Sequence, residues 1–308
     1  RKVMSPTGED EFLRVGLGKV GDRLIATPMH RGAGIITSLV RADGIVVIPR
    51  FTEGLDAGQQ VSVELLNPIS KVENSIVAIG SHDVSLDLLA SHLNKNDRTR
   101  SLSSSNVGSL GGLLALSRGE AHIAGCHLLD EDTGEYNVSF VKRYLKEHSM
   151  VLVNLAHRQQ GLIVPPDNPK AITTLLDLCK NDITFINRQR GSGTRVLLDF
   201  KLRQLEVDSE DITGYVREEY THLAVAAVVA GGSADTGLGV LAAAQALGMD
   251  FVPLFSEQFD LVIPTDFYAG DLLRPLLELI DTSQFKTEMV NLGGYDVSQT
   301  GQIIARVG

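Results

Sequence analysis

The stretch that decides the fold is Asn187-Arg188-Gln189-Arg190-Gly191-Ser192-Gly193-Thr194-Arg195. The β-branched and aromatic run just before it, at 182–186, predicts a buried strand. After it, leucines at 198, 202 and 205 recur at helical spacing and predict one apolar helix face. The segment is therefore predicted to be a strand, a glycine-rich loop and a helix.

This loop contains several groups that suit a small oxyanion. A helix N-terminus carries unpaired N–H groups and a partial positive charge, and glycines let an anion approach the backbone closely. Hydroxyl and guanidinium side chains add further donors. The alternative is a helix cap with two turn glycines and solvated arginines. The loop residues in question are Arg190, Gly191, Ser192, Gly193, Thr194 and Arg195.

Composition limits the classes of function. A chain of 308 residues with 43% hydrophobic residues can form about two domains with sizeable cores. A formal net charge of -10 disfavours a broad nucleic-acid face, and no apolar run has the length of a membrane span. The two cysteines, Cys126 and Cys179, stand in apolar surroundings and are predicted to be buried, reduced thiols. We therefore expect a cytoplasmic protein with neither nucleic-acid nor membrane partners.

The first seventy residues have a pattern of their own. Short apolar runs broken by glycine turns extend from residue 12 to about residue 66, which predicts a small β-barrel. The motif at 30–49 (HRGAGIITSLVRADGIVVIP) and the ending at 58–66 (GQQVSVELL) resemble the C-terminal β-barrel of the molybdopterin molybdenumtransferase family, MoeA and gephyrin E. The catalytic domain of that family is absent from this chain, so no catalytic residue is assigned.

The remainder has the pattern of an α/β protein. Residues 75–126 alternate apolar runs with amphipathic helices in a βαβαβ order, which predicts a parallel sheet. Further extended runs at 150–155, 160–164, 249–255 and 258–263 indicate a second α/β unit with two chain crossings. In such sheets, ligands bind beyond the carboxyl ends of the strands.

This second region also resembles a known family. The segments at 119–130, 133–137, 187–195 and 221–226 resemble the type II periplasmic-binding-protein (PBP-like) domains that are fused to molybdopterin-biosynthesis proteins. The predicted class is therefore α/β, with a small N-terminal β-barrel followed by a two-lobed type II periplasmic-binding-protein-like α/β domain. The predicted boundaries are 1–70 for the barrel and 75–308 for the ligand-binding domain.

The expected anion site lies between the two lobes. It combines the loop residues named above with serines at strand ends and helix starts. The expected ligands of the anion are Ser81, Ser105, Ser109, Arg190, Gly191, Ser192, Gly193, Thr194 and Arg195, and the secondary candidates are His82, Asp83, Asp235 and Thr236.

Two other chemistries are alternatives for this region. His122 and His127 should point to opposite faces of a strand, which argues against a metal site with Cys126. His82 and Asp83 form an acid–base pair without a nucleophile motif, so a hydrolase is only the alternative.

The resemblances imply a role in molybdenum cofactor biosynthesis. The PBP-like domain would bind molybdate or tungstate for delivery or sensing, with the N-terminal molybdopterin-binding domains of that family as partners. One alternative is part of an active molybdenum insertase whose cleft holds molybdopterin. Another is a regulatory module that binds an organic effector. Oligomeric state is left open, with a homodimer as one option.

Overall fold

The first part of the chain forms an antiparallel sheet. The computed structural model describes residues 2–29 and 42–308, and residues 30–41, which begin the motif at 30–49, lie outside the described residues. The main sheet has the order β3-β2-β4-β6, and β1 pairs separately with β5. The elements are β1 Val3–Met4, β2 Glu11–Val20, β3 Arg23–Pro28, β4 Gly44–Ile48, β5 Gly54–Leu55, β6 Glu64–Leu65 and helix α1 Ile69–Glu73.

The first lobe follows as alternating strands and helices. Strands β7 and β8 are parallel, and the segment that leads into β9 continues the sheet through a parallel bridge from Ala78 to Ile123. The predicted βαβαβ order is therefore confirmed. Its elements are β7 Ser75–Gly80, α2 Val84–Asn96, β8 Ser101–Asn106, α3 Ser109–Ser117, β9 Ala124–Cys126 and α4 Val138–Tyr144.

The second lobe is inserted between two long strands. Strand β10 (Met150–Val164) and strand β14 (Asp250–Pro264) pair antiparallel along almost their whole length and belong to both lobes. Between them the sheet order is β12-β11-β13-β10. The inserted elements are β11 Phe185–Arg188, α5 Gly193–Gln204, β12 Glu218–Glu219, α6 His222–Ala230, β13 Thr236–Val240 and α7 Leu241–Ala246.

The last elements return to the first lobe. Strands β15 and β16 both pair with β10, and the helices pack beside α2. They are α8 Thr265–Tyr268, α9 Arg274–Asp281, α10 Ser283–Asn291, β15 Tyr295–Asp296 and β16 Ile303–Val307. The result is the predicted mixed α/β, type II periplasmic-binding-protein-like fold.

Each lobe has a core on both faces of its sheet. On β7, Ile76 and Ala78 join the cluster under α2, whereas Val77 and Ile79 join the cluster under α3. Burial on both faces explains why this strand is a continuous apolar run rather than an alternating one. Two further clusters flank the sheet of the second lobe.

The crossing strands are longer than the sequence indicates. The extended runs expected at 150–155 and 160–164 belong to one strand, with register shifts between Asn154 and Ala156 and between Gln160 and Gly161. Polar residues occupy the middle of the strand, which interrupts the apolar pattern. They lie where the strand passes from one lobe to the other.

The N-terminal sheet packs directly on the first lobe. Thr27 Oγ1 lies 3.2 Å from Ser103 Oγ on β8, and Val20 belongs to the same core cluster as Val77. A Cβ atom added to Gly18 would lie 2.2 Å from Val77 Cγ2, so this contact requires glycine.

We expect Gly18→Ala to lower the free energy of unfolding by about 1–3 kcal/mol, because the added methyl group must displace β2 from β7. The neighbouring Lys19→Ala should change it by less than about 0.5 kcal/mol, since Lys19 is exposed. Urea unfolding of both variants measures the difference. Equal effects would contradict close packing of the two sheets.

Two further expectations concern the state of the cysteines and the presence of membrane-spanning helices. Both cysteines are free thiols, as predicted, but only Cys126 is buried, whereas Cys179 is partly exposed. Burial raises the pKa of Cys126 to about 12. Among the residues described, the helices are too short or too polar to cross a bilayer.

Candidate functional site

A network of buried ionic side chains lies where β10 and β14 pass between the lobes. Arg158 and Glu257 are opposite each other in the strand register, and Arg158 Nε donates to Glu257 Oε2 over 2.9 Å. Arg158 Nη1 also donates to Asp83 Oδ2, and the Tyr295 hydroxyl donates to Asp83 over 2.9 Å. Asp83 in turn caps α2 by accepting from the N–H of Ser85. This network ties both crossing strands to the first lobe.

Mutual pairing keeps these groups charged. Burial alone would raise the pKa of Glu257, but Arg158 and His127 outweigh it and hold the pKa at about 2. Burial also opposes ionisation of Asp83, and Arg158 again lowers the pKa below its usual range. For Arg158 itself, burial lowers the pKa, while Glu257 and Asp83 raise it by more. All three groups are therefore ionised at neutral pH.

His127 extends the network to the strand ends of the first lobe. Its Nδ1 makes a short hydrogen bond with Glu257, and its Nε2 lies 2.7 Å from the Oγ of Ser81, just beyond β7. The backbone N–H of His127 donates to Ser109 Oγ over 3.1 Å, and its ring stacks on Phe259. Because Glu257 is ionised, it accepts from Nδ1–H, and the neutral ring presents an unprotonated Nε2 to Ser81.

Arg188 is a buried cation for which the described residues provide no salt-bridge partner. It ends β11 and is 4% exposed, and its Nε and Nη1 have no hydrogen-bond acceptor within residues 2–29 and 42–308. Burial and the positive charge of Arg158 lower its pKa to about 10, so it remains charged at neutral pH. An unpaired buried guanidinium is costly. The arrangement therefore suits an acceptor supplied from outside, such as an anion.

Two polar side chains in the same region, His222 and Gln160, have atoms without a partner among the described residues. His222 begins α6, and its Nδ1 has no partner in the described part of the chain. Burial, followed by the charges of Arg188 and Arg158, lowers the pKa of His222 well below its usual value. Gln160 on β10 donates to Thr194 Oγ1 over 3.3 Å, while its Oε1 likewise lacks a partner among the described residues. Hydrogen-bonding capacity is thus concentrated where the lobes meet.

The two lobes are closed over this region. A Cβ atom on Gly193, the first residue of α5, would lie 2.4 Å from His127 Nδ1. On one side of the cleft, Asn106 Nδ2 donates to the carbonyl oxygen of Tyr220 over 2.9 Å. The start of α5 therefore faces the strand ends of the first lobe.

Several residues expected from the sequence meet here. Ser81, Ser109 and Asp83 contact the His127–Glu257–Arg158 network directly, and Gly193 packs against His127. Thr194 is linked to the crossing strand through Gln160. Ser192 caps α5, with its Oγ accepting from the N–H of Arg195 over 3.2 Å, and Gly191 has a φ of 82° just before it.

The two expected arginines have carboxylate partners. Arg190 has a side chain that is 78% exposed, with Nε 3.5 Å from Glu218 Oε1. Arg195 donates to Asp199 and Glu218, and its guanidinium lies 4.1 Å from the centre of the Tyr215 ring.

The remaining expected residues lie outside the network. Ser105 lines a cavity beside the N-terminal sheet. His82 pairs with Asp87 over 3.2 Å. Asp235 accepts from Thr184, and Thr236 donates to a backbone oxygen over 2.9 Å.

Five functional candidates were missed by the sequence reasoning. Two of them carried a usable signal, because Arg158 and Glu257 are charged residues in the short gaps between two extended runs. Arg188 stands within the quoted loop at 187–195 but is not among the expected ligands, and in the structure it ends β11. The missed residues are His127, Arg158, Arg188, His222 and Glu257.

No metal centre is formed by the described residues, in which no three or more His, Cys, Asp or Glu side chains are grouped to hold an ion. His122 instead accepts through Nδ1 from the backbone N–H of Val77 over 2.9 Å. Its ring contacts Phe267 rather than the polar network.

Comparison with known proteins gives two family matches and several relatives. The family model of the PBP superfamily domain matches residues 90–281, and that of the MoeA C-terminal region (domain IV) matches residues 1–66. The uncharacterized protein YvgK of Bacillus subtilis is 38% identical over 228 residues, which are 74% of this chain and 73% of that protein.

Solved structures have the same fold at low identity. A phosphate-transporter-type substrate-binding protein from Clostridium perfringens, solved with bound phosphate, has a TM-score of 0.53 and 16% identity, covering 72% of this chain and 99% of its own. The tungstate ABC transporter structure from Geobacter sulfurreducens has a TM-score of 0.51 and 14% identity, covering 70% of this chain and 98% of its own. With a family match across residues 90–281, this chain belongs to the PBP superfamily.

Proposed function

We propose that the closed cleft binds a small tetrahedral oxyanion, with molybdate or tungstate as the expected ligand. The observation that carries the proposal is Arg188, a guanidinium that is 4% exposed and whose Nε and Nη1 lack an acceptor in the described part of the chain. Charged hydrogen bonds are the strong ones, and they gain strength where water is excluded. An anion at this position would satisfy both nitrogens.

Neutral donors would complete the site. The first N–H groups of α5 have no intrahelical partners, and Ser81, Thr194 and His222 add side-chain groups around them. Arg190, which is exposed in the loop before α5, belongs to the proposal as part of the rim. Backbone and hydroxyl donors replace the water around an anion without adding charge.

The choice of molybdate or tungstate rests on two similarities. The solved structures named above include a tungstate transporter protein, and residues 1–66 match the MoeA C-terminal region. Together they support a role in molybdenum cofactor biosynthesis, in which the cleft delivers or senses the anion. The domains of the MoeA family that precede its C-terminal region would then be the partners of this chain.

A screen of four anions tests the proposal. Molybdate or tungstate at about 100 times its Kd should stabilise the protein by about 2.7 kcal/mol, which thermal unfolding detects as a raised Tm. Sulfate and phosphate should raise it less at equal concentration, and sodium chloride at matched ionic strength is the control. If none of the four anions binds in calorimetry, the proposed function is wrong. Binding of phosphate alone would exclude molybdate and tungstate as ligands.

A further inference from the structure

The hydrogen-bond chain from Ser81 to Glu257 has a direction. Glu257 is ionised and accepts from His127 Nδ1, so the neutral imidazole accepts at Nε2 from the hydroxyl of Ser81 over 2.7 Å. The single proton of that hydroxyl is then directed at the imidazole. What remains on the serine oxygen is lone pairs, which repel an anion. In this state Ser81 cannot donate to a ligand in the cleft.

One added proton reverses the direction of the hydrogen bond between Ser81 and His127. When the His127–Glu257 pair holds an extra proton, Nε2–H donates to the Ser81 oxygen, and the Ser81 hydroxyl is free to turn toward the cleft. This result does not depend on whether the added proton lies nearer the imidazole or nearer the carboxylate. In both cases Nε2 carries a hydrogen and Ser81 becomes a donor.

We infer that anion binding in this cleft is coupled to the uptake of one proton by the His127–Glu257 pair, which turns Ser81 into a donor to the anion. This inference rests on the proposed function and adds a regulatory property to the same site. The cleft would hold its anion more tightly in acidic surroundings and release it in alkaline ones.

The charges that face His127 favour this coupling. Glu257 approaches from β14, Arg158 from β10, Arg188 from β11 and His222 from α6, whereas the start of α5 contributes only backbone and a hydroxyl. With Asp83 included, the ionised groups are two arginines and two carboxylates, so the site is neutral overall. A dianion buried there is better balanced if one positive charge is added.

In the anion-free protein, the His127–Glu257 pair does not yet hold the added proton. Burial lowers the pKa of His127 below its ordinary value of 6.5, although Glu257 opposes this, so the ring is neutral at neutral pH. A bound dianion raises that pKa. Affinity should therefore increase as pH falls through the window between the pKa of the free state and that of the bound state, and should level off on either side of it.

Calorimetry with molybdate measures the coupling. At one pH near neutrality, titrations in buffers of different ionisation enthalpy give the number of protons taken up. We expect between about 0.5 and 1 proton for the native chain, and a Kd that tightens by up to about tenfold per pH unit between about pH 8 and pH 6. Molybdate at micromolar concentration remains a monomeric dianion in that range, so its own titration does not contribute.

Three variants test which residues are responsible for the proton uptake. His127→Gln places an amide N–H near Ser81 at every pH, so binding should persist with proton uptake near zero. Ser81→Ala should reduce the uptake while Arg188 still binds the anion, because the protonated pair then gains no donor from the serine. This variant is used if His127→Gln does not fold. His92→Gln is the matched control, because His92 pairs with Glu288 away from the cleft and should leave the uptake unchanged.

The outcomes separate the inference from the proposed function. Native protein that binds molybdate with no proton uptake overturns the coupling and leaves the anion site standing. Uptake that survives in both His127→Gln and Ser81→Ala also overturns it, and would place the proton elsewhere, for example on His222. Failure of the native chain to bind any of the four anions removes the proposed function itself.

Discussion

Replacing Arg188 by methionine is expected to weaken anion binding strongly and, in the absence of anion, to make the protein more stable. The two effects have one cause. The guanidinium is buried, and two of its nitrogens lack a protein acceptor in the described residues. Loss of such a group should weaken binding by about 2–5 kcal/mol, which is at least about 30-fold in Kd. Methionine fills a similar space without a charge, so the free energy of unfolding should rise by about 1–3 kcal/mol.

Arg190→Met is the matched control. Arg190 lies two residues away, but its side chain is 78% exposed and near Glu218. Its loss should reduce affinity by less than about tenfold and leave stability within about 0.5 kcal/mol of the native value. Calorimetric titration and urea unfolding measure both quantities. If Arg188→Met lowers stability without affecting anion binding, Arg188 is a structural residue and not the anion anchor.

Arg158→Met should be the most destabilising single change considered in this protein. It removes the arginine that pairs with both Asp83 and Glu257, so two buried carboxylates lose their counter-charge. Breaking a buried pair by removing one partner costs about 3–5 kcal/mol. Arg203→Met is the control, because the Arg203–Glu131 pair is largely exposed and should contribute less than about 1 kcal/mol.

The pH dependence of Arg158→Met should have the opposite sign from the native chain. In the native chain the pKa of Glu257 is about 2, below its ordinary 4.5, so its contribution to stability is present above pH 4.5 and lost as pH falls toward 2. Without Arg158, burial raises the pKa of both carboxyl groups, and protonation at lower pH relieves the repulsion. The variant should therefore gain stability relative to the native chain as the pH is lowered. A parallel pH dependence would show that Arg158 does not control these carboxylates.

Much of the fold was predictable because local patterns and long-range packing agree. The run at 76–80 has no polar side chain, and β7 is buried on both faces. The glycine-rich loop that follows β11 begins a helix with Ser192 as its cap, as its sequence indicated. In such stretches, periodicity and turn residues alone determine the element.

The centre of the site was less predictable, for a physical reason. Arg158 and Glu257 are far apart in sequence and meet only because β10 and β14 pair in one register. The sequence offers His127 only as a metal ligand, and its pattern argues against that role. Its actual partners, Ser81 just beyond β7 and Glu257 on β14, are far from it in sequence. The pattern around 187–195 predicts a loop that begins a helix, but it does not show that Arg190 and Arg195 both lie beside Glu218 of β12.

The insertion of one lobe between two paired strands affects how the chain folds during synthesis. The second lobe is continuous between β10 and β14, so its strands can assemble as soon as residue 264 has been made. The first lobe is interrupted: β10 completes its pairing only with β16, at residues 303–307. Although its first strand is made much earlier, the first lobe should be the last to close on the ribosome. Until then, the edge of β10 at Met150–Val153 is open to pairing with other chains, which makes this edge the place where slow synthesis or truncation would cause aggregation.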